Sequence, residues 1–209
     1  MRERSGVISC IHEPPRFRNQ KLEMSEAATA TLLAVPVNER DHVMGPPNAP
    51  VIVVNYGDYQ CPGCQQRHRS TEKMARELLD SVRLVHRHFP LVKSHPHALR
   101  AAEAAEAAAS QGKFWEMHRL LFLRPDKLRD RDLRGYAKEI RLDLETFDRE
   151  MASGIYADRI LKDFYFSLNH GITGTPTTFI NGVRYALSGV ELVATVKAIV
   201  EEEVAKRLQ

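Results

Sequence analysis

The chain has 209 residues, 43% hydrophobic and 27% charged, with 30 basic against 27 acidic side chains and a formal net charge of +3. That composition excludes a disordered or collagen-like chain and matches a globular protein long enough to bury a substantial core. Three cysteines cannot build a disulfide scaffold, and the odd number leaves at least one thiol unpaired within the chain.

Basic and acidic residues interleave, as in residues 124–134 (RPDKLRDRDLR), so no nucleic-acid-binding face is predicted. The start, MRERSGVISCIHEPPRFRNQ, is basic and carries Val7-Ile8-Ser9-Cys10, which superficially resembles a lipoprotein cleavage site. Its apolar part falls short of the roughly 7–15 residues of a secretory core, and no later stretch approaches the roughly 18 of a membrane span. The expectation is a cytoplasmic protein without a membrane span, with residues 1–35 as a disordered or weakly ordered tail. Met24 is an alternative start, and Cys10 has no assigned role.

Pro46-Pro47-Asn48-Ala49-Pro50 closes the leading segment and launches Val51–Tyr56, a β-branched run without alternation that predicts a strand covered on both faces. Gly57–Cys64 (GDYQCPGC) follows, then Cys64, His68, Thr71, Met74 and Leu78 recur at helical spacing. Val82–His88 (VRLVHRH) predicts a second strand, completing a βαβ unit. From Pro96, placed at a first helical position, about 75 residues read as helices. The first is Ala98–Ala109. The second carries Phe114, Trp115, His118, Leu121 and Phe122, and the third, capped by Asp130, carries Leu133, Tyr136, Ala137 and Ile140. A fourth would bury Leu144, Phe147 and Met151, and a fifth, with Ile160 and Phe164, stops at Gly171. Period two returns in Thr177–Ile180 and Val183–Leu187 around Asn181-Gly182, a hairpin signal, and a closing helix carries Leu192, Val193, Val196 and Val200. The predicted order is β-α-β, a helical block, then β-β-α.

Cys61-Pro62-Gly63-Cys64 falls where the first strand gives way to the first helix. Unpaired N–H groups and the helix dipole favour an anion there, so a thiolate at Cys61 should have a lowered pKa. Two intervening residues bring both sulfurs within bonding reach, and Pro62 suits the first helical position. Cys61 then reads as an exposed nucleophile and Cys64 as the buried thiol that resolves its mixed disulfide. The same spacing is half of a zinc site, but the remaining candidates, His86/His88 and His95/His97, lie on or after a strand with no further cysteine. No metal is expected, and those histidines are expected to be exposed or satisfied by hydrogen bonds.

Four segments, GDYQCPGC, Arg87–Leu91 (RHFPL), Phe114–Leu121 (FWEMHRLL) and Gly174–Gly182 (GTPTTFING), resemble the DsbA-like branch of the thioredoxin fold. Such bacterial domains occur alone or fused to sodium/proton antiporters. The resemblance spans roughly residues 36–208. It implies an α/β thioredoxin fold, a mixed sheet flanked by helices, formed by residues 36–93 and 171–209, with 94–170 an inserted all-helical domain. It also implies Cys61 as nucleophile, Cys64 as resolving thiol, Pro176 as a cis-proline beside them, and Thr175 pairing with an extended substrate. Pro62 and Gly63 join the substrate-binding surface, and Asp58 either relays a proton to Cys64 or caps the turn.

The implied function is thiol–disulfide exchange with disulfide- or thiol-containing protein substrates and an unknown redox partner, using no cofactor beyond the Cys61–Cys64 disulfide. The Pro62-Gly63 pair lacks the histidine of strongly oxidising relatives, which favours the reductase or isomerase direction. Two other readings stand beside it: a glutathione-dependent small-molecule isomerase or transferase on the same fold, and a redox-inactive interaction module.

Overall fold

The computed structural model describes residues 32–78 and 80–209. Most of the expected tail, including Cys10 and Met24, lies outside the described residues. Of its last four residues, Leu32 bridges Val183 and the Leu33 N–H donates to the Gly182 carbonyl at 2.8 Å.

A short strand, β1 (His42–Met44), precedes the first predicted one and was not anticipated. Then come β2 (Val51–Gly57), α1 (Pro62–Leu78) and β3 (Val82–His88). Five helices follow: α2 (Ala98–Ala109), α3 (Phe114–Leu123), α4 (Asp130–Glu139), α5 (Leu144–Ser153) and α6 (Ala157–Asn169). The chain returns through β4 (Thr177–Ile180) and β5 (Val183–Tyr185) to α7 (Gly189–Arg207). The strand order is β1-β3-β2-β4-β5, with β2 and β3 parallel and the other pairs antiparallel, which is the mixed sheet the βαβ and ββα units required.

Alternate residues of β2 serve opposite layers. Val51 and Val53 pack with Met74 of α1 and with Leu192 and Val196 of α7. Val54 and Tyr56 pack with Val85, Phe89, Ile172 and Phe179. Burial on both faces explains why the run lacked alternation. A third core fills the helical block, where alanines 101, 104, 105 and 108 of α2 let the neighbouring helices approach closely. Tyr59, Cys61 and Cys64 belong to this third core, so the CPGC segment lies on the seam between sheet and helical block.

Local signals resolve with two corrections. Asn181 and Gly182 both have positive φ, +46° and +82°, as a tight hairpin turn demands. Ser188 caps α7 by accepting from the Glu191 N–H. Asp130, expected as a cap, is instead the first residue of α4: its carboxylate takes Arg100 at 2.9 Å, and Asp132 accepts the Arg129 N–H. Pro96 lies two residues ahead of α2, in a turn in which the Ala98 N–H reaches the His95 carbonyl.

Candidate active site

β2 ends at Gly57, and four residues carry the chain to α1. The turn closes through the Cys61 N–H to the Asp58 carbonyl at 3.1 Å, and the Gln65 N–H already reaches the Cys61 carbonyl at 3.1 Å. Cys61 therefore precedes Pro62 at the very start of the helix, with Cys64 one turn on. Cys61 keeps 8% of its surface open against 2% for Cys64. The expected order of exposure holds, but the expected exposed nucleophile is a thiol reached through a small opening, because the 174–176 segment covers it.

That segment arrives from the far end of the sequence. The Thr175–Pro176 peptide bond is cis, and Cys61 Sγ lies 3.5 Å from the Thr175 carbonyl oxygen, to which it donates when protonated. A Cβ on Gly63 would stand 3.0 Å from Pro176 Cδ and 3.8 Å from Cys61 Sγ, so a glycine at this helical position lets the proline ring close over the dithiol. The structure thus brings Cys61, Cys64, Gly63, Thr175 and Pro176 together, with Pro62 on the rim.

The two thiols differ sharply in acidity. A hydrogen bond from the Cys64 thiol, opposed by burial and aided by the Thr175 side chain and the N–H groups of Cys64 and Gly63, lowers the Cys61 pKa to about 5. Donating that bond, and being buried, pushes Cys64 far above the ordinary thiol range. At neutral pH one sulfur is a thiolate and the other holds its proton.

The Asp58 side chain is fully buried, and its carboxylate is taken up by partners other than the sulfurs. One oxygen accepts the Gln60 N–H at 2.7 Å, while the other takes the Leu91 N–H and His95 Nδ1, each at 2.8 Å. It is the Asp58 backbone N–H that meets Cys64 Sγ, at 3.5 Å. His95, entertained as half of a metal pair, is thus a partner of this loop acid.

Sequence reasoning missed the histidine layer behind Cys64. His86 and His88 are buried, contrary to expectation: β3 ends beneath the helical block, and the His86 ring lies so close to Gly57 that a Cβ there would meet it at 2.7 Å. His86 Nε2 and His88 Nδ1 lack a hydrogen-bond partner. His118 from α3 approaches to 4.5 Å between ring centroids and bonds the Tyr59 hydroxyl through Nδ1 at 3.0 Å. His68, one turn after Cys64, completes the layer at 5.2 Å from His118. A cavity of about 30 Å³ is bounded by Cys64, His68, His86, His118 and Pro176. Burial lowers the pKa of all three histidines, His68 to about 4. The available signals were the period-two His86/His88 pair and the four-residue step from Cys64 to His68.

Outside the dithiol, Gln60, Pro62, Gln65, Leu123, Arg124 and Lys127 border an open groove of about 690 Å³ between the start of α1 and the segment after α3. Among the described residues, the one group with metal-ligand spacing is His42, His88 and Glu106, which includes neither cysteine.

A family model described as thioredoxin matches residues 37–201, so it takes in both halves of this site and the helices between them. The chain belongs to the thioredoxin family. Its fold resembles that of DsbA-type proteins. The thioredoxin-like oxidoreductase of Silicibacter pomeroyi aligns at a TM-score of 0.66 with 26% identity, covering 77% of this chain and 92% of that one. Wolbachia pipientis alpha-DsbA1 aligns at 0.70 with 21% identity, covering 83% and 96%, and so shares the fold. Among curated proteins, the Na(+)/H(+) antiporter NhaA 3 of Salinispora tropica is 50% identical over 157 residues, 73% of this chain and 24% of the antiporter. The antiporter NhaA of Herminiimonas arsenicoxydans is 37% identical over 171 residues, 81% of this chain and 27% of its own length. This thioredoxin-family chain therefore spans about a quarter of the length of the antiporters it matches. No helix among its described residues is long and apolar enough to cross a membrane.

Proposed function

We propose that the chain is a thiol–disulfide oxidoreductase acting on protein disulfides, with Cys61 as nucleophile and Cys64 as resolving thiol. The observation that carries this reading is geometric: a sulfur at the helix start beside the cis Thr175–Pro176 bond, with a second, more buried sulfur one turn on, an arrangement that lowers the Cys61 pKa and raises that of Cys64. The Cys61 thiolate attacks a substrate disulfide, forming one S–S bond and expelling one substrate thiolate. Cys64 gives up its proton and attacks Cys61 Sγ, releasing the second substrate thiolate. The substrate gains two electrons and the enzyme is left with a Cys61–Cys64 disulfide; run backwards, the same steps oxidise a dithiol.

Thr175 and Pro176 are the proposed docking edge, since an extended segment pairing with the backbone ahead of β4 would lay its sulfur against Cys61. The groove beside Pro62 gives the rest of such a chain a place to lie. Asp58 is proposed as a positioning residue: its carboxylate braces the loop while its N–H donates to Cys64 Sγ.

Two features act in opposite senses on direction. The Pro62-Gly63 pair offers no cation to stabilise the thiolate, yet a Cys61 pKa of about 5 already favours the dithiol form. Together they support an intermediate couple suited to disulfide isomerisation, between the roughly −270 mV of thioredoxin and −120 mV of DsbA. A cytoplasmic setting, where thiols are kept reduced, remains part of this proposal. Equilibration with glutathione buffers tests it, together with refolding of a scrambled disulfide protein. A potential outside that interval, or no gain in native disulfides, would refute the direction. Failure to turn over any protein disulfide, coupled with glutathione conjugation, would favour the transferase alternative.

A further inference from the structure

A second buried cluster lies outside the dithiol site. The Glu106 carboxylate, carried by the alanine-rich α2, meets His42 from β1, His88 from the end of β3 and Arg159 from α6. Its Oε1 is 2.8 Å from His42 Nε2, 3.1 Å from His88 Nε2 and 2.7 Å from the Arg159 guanidinium. The Glu106 and His88 side chains are 3% and 6% exposed. One ligand atom from each of His42, His88 and Glu106 can be chosen so that all lie within 4.8 Å of one another.

An ion-pair network would account for a buried carboxylate among basic groups. It does not account for His88. This imidazole is buried; its Nε2 lies 3.1 Å from a Glu106 oxygen that His42 and Arg159 already share, and its Nδ1 has no partner. Buried polar atoms are nearly always satisfied. His42 is held in place by Phe114, its ring stacked at 3.6 Å and 7° from parallel, so its Nε2 is aimed without help from a ligand. A cavity of about 100 Å³ bordered by Arg40, Asp41, Arg159 and Asp163 opens onto the three groups, giving an aquated ion a path to them.

We propose that His42, His88 and Glu106 form a binding site for a divalent transition-metal cation of the zinc type. Two imidazole nitrogens and one carboxylate oxygen are the donors such an ion takes, and the cavity supplies a water as fourth ligand. This departs from the sequence expectation of no metal, which considered the cysteines and the later histidine pairs. Arg159 occupies the carboxylate without the ion. Its side chain is 39% exposed and shares the cavity wall with Asp163, so it can turn outward as the ion takes its place. Binding would tie β1, β3 and α2 together, since one ligand comes from each.

The test is titration of the full chain with Zn²⁺ and with Co²⁺, in a background with Cys10, Cys61 and Cys64 all changed to Ser so that no thiolate competes. Calorimetry should show one Zn²⁺ per chain and a raised melting temperature, and Co²⁺ should give the visible absorption of a four-coordinate site. H88A and E106Q should each weaken binding by at least about 10–100-fold. R159Q, at a partly exposed position, should tighten it by removing the competing guanidinium, and decides the matter should H88A not fold. No stoichiometric binding in the cysteine-free chain, binding unchanged in H88A, E106Q and R159Q, or weaker binding in R159Q would overturn the proposal.

Discussion

Cys61 Sγ lies 3.5 Å from the Thr175 carbonyl oxygen, although 114 residues separate the two in the chain. The contact joins the start of α1 to the turn that feeds β4. It makes one site of two motifs that the sequence carries at opposite ends of a helical insert.

Because the Cys64 thiol is the largest influence lowering the Cys61 pKa, its removal should be felt at Cys61. In Cys64→Ala the pH midpoint of Cys61 alkylation should rise from about 5 by about 1–2 units, the worth of one hydrogen bond to a charged group. Cys64→Ser, which keeps a donor, should shift it less. Alkylation rates across pH measure both.

The dithiol also sets a pH dependence on stability. Between about 5 and the ordinary thiol value of 9.0, unfolded Cys61 holds a proton that native Cys61 has released, so the reduced protein should gain stability as pH rises. Above 9.0 the raised Cys64 reverses the slope, because the unfolded chain then releases a proton that the native state keeps. The oxidised protein has neither group. The reduced-minus-oxidised difference in urea midpoint should therefore climb to about pH 9 and fall beyond it.

Acid should act through the histidine layer. His68, His86 and His118 all titrate below the usual 6.5, so as pH falls under that value the unfolded chain takes up protons that the native state refuses. Stability should be full above 6.5 and be lost progressively below it, toward about 4 for His68. His68→Gln should make the slope shallower by up to about 1.4 kcal/mol per pH unit, one proton's worth. Chemical denaturation at several pH values reads this directly.

Asp58→Asn should destabilise the protein by about 1–3 kcal/mol, since an amide cannot accept the Gln60 and Leu91 N–H groups and His95 together. Exchange should slow as well, because the Asp58 N–H that holds Cys64 moves with the loop. Unfolding midpoints and insulin reduction rates, measured on the same preparation, separate the two effects.

The fold was largely legible because its signals are local. A β-branched run, an Asn-Gly turn and apolar stripes at helical spacing name their elements without knowledge of the tertiary structure. β1 was illegible for the converse reason: three residues, His42–Met44, are strand only because β3 offers an edge. The Cys61/Cys64 pair was visible in its spacing, and its neighbours were not. Glu106 lies unmarked in an alanine-rich helix, and His88 is one of two alternating strand residues. Their burial is decided by α6 and β1 packing over them, which no window around either residue contains. Asp58 read as a proton relay or a turn cap, and the partners its carboxylate takes, Leu91 and His95, lie more than thirty residues downstream.

The central claim is that Cys61 attacks protein disulfides and Cys64 resolves the product. Mass spectrometry of the Cys64→Ser chain after incubation with a disulfide-bonded protein tests it most directly. The account predicts a stable mixed disulfide mapped to Cys61 and none in Cys61→Ser. An unmodified Cys61, or an adduct carried by Cys10 alone, would contradict it.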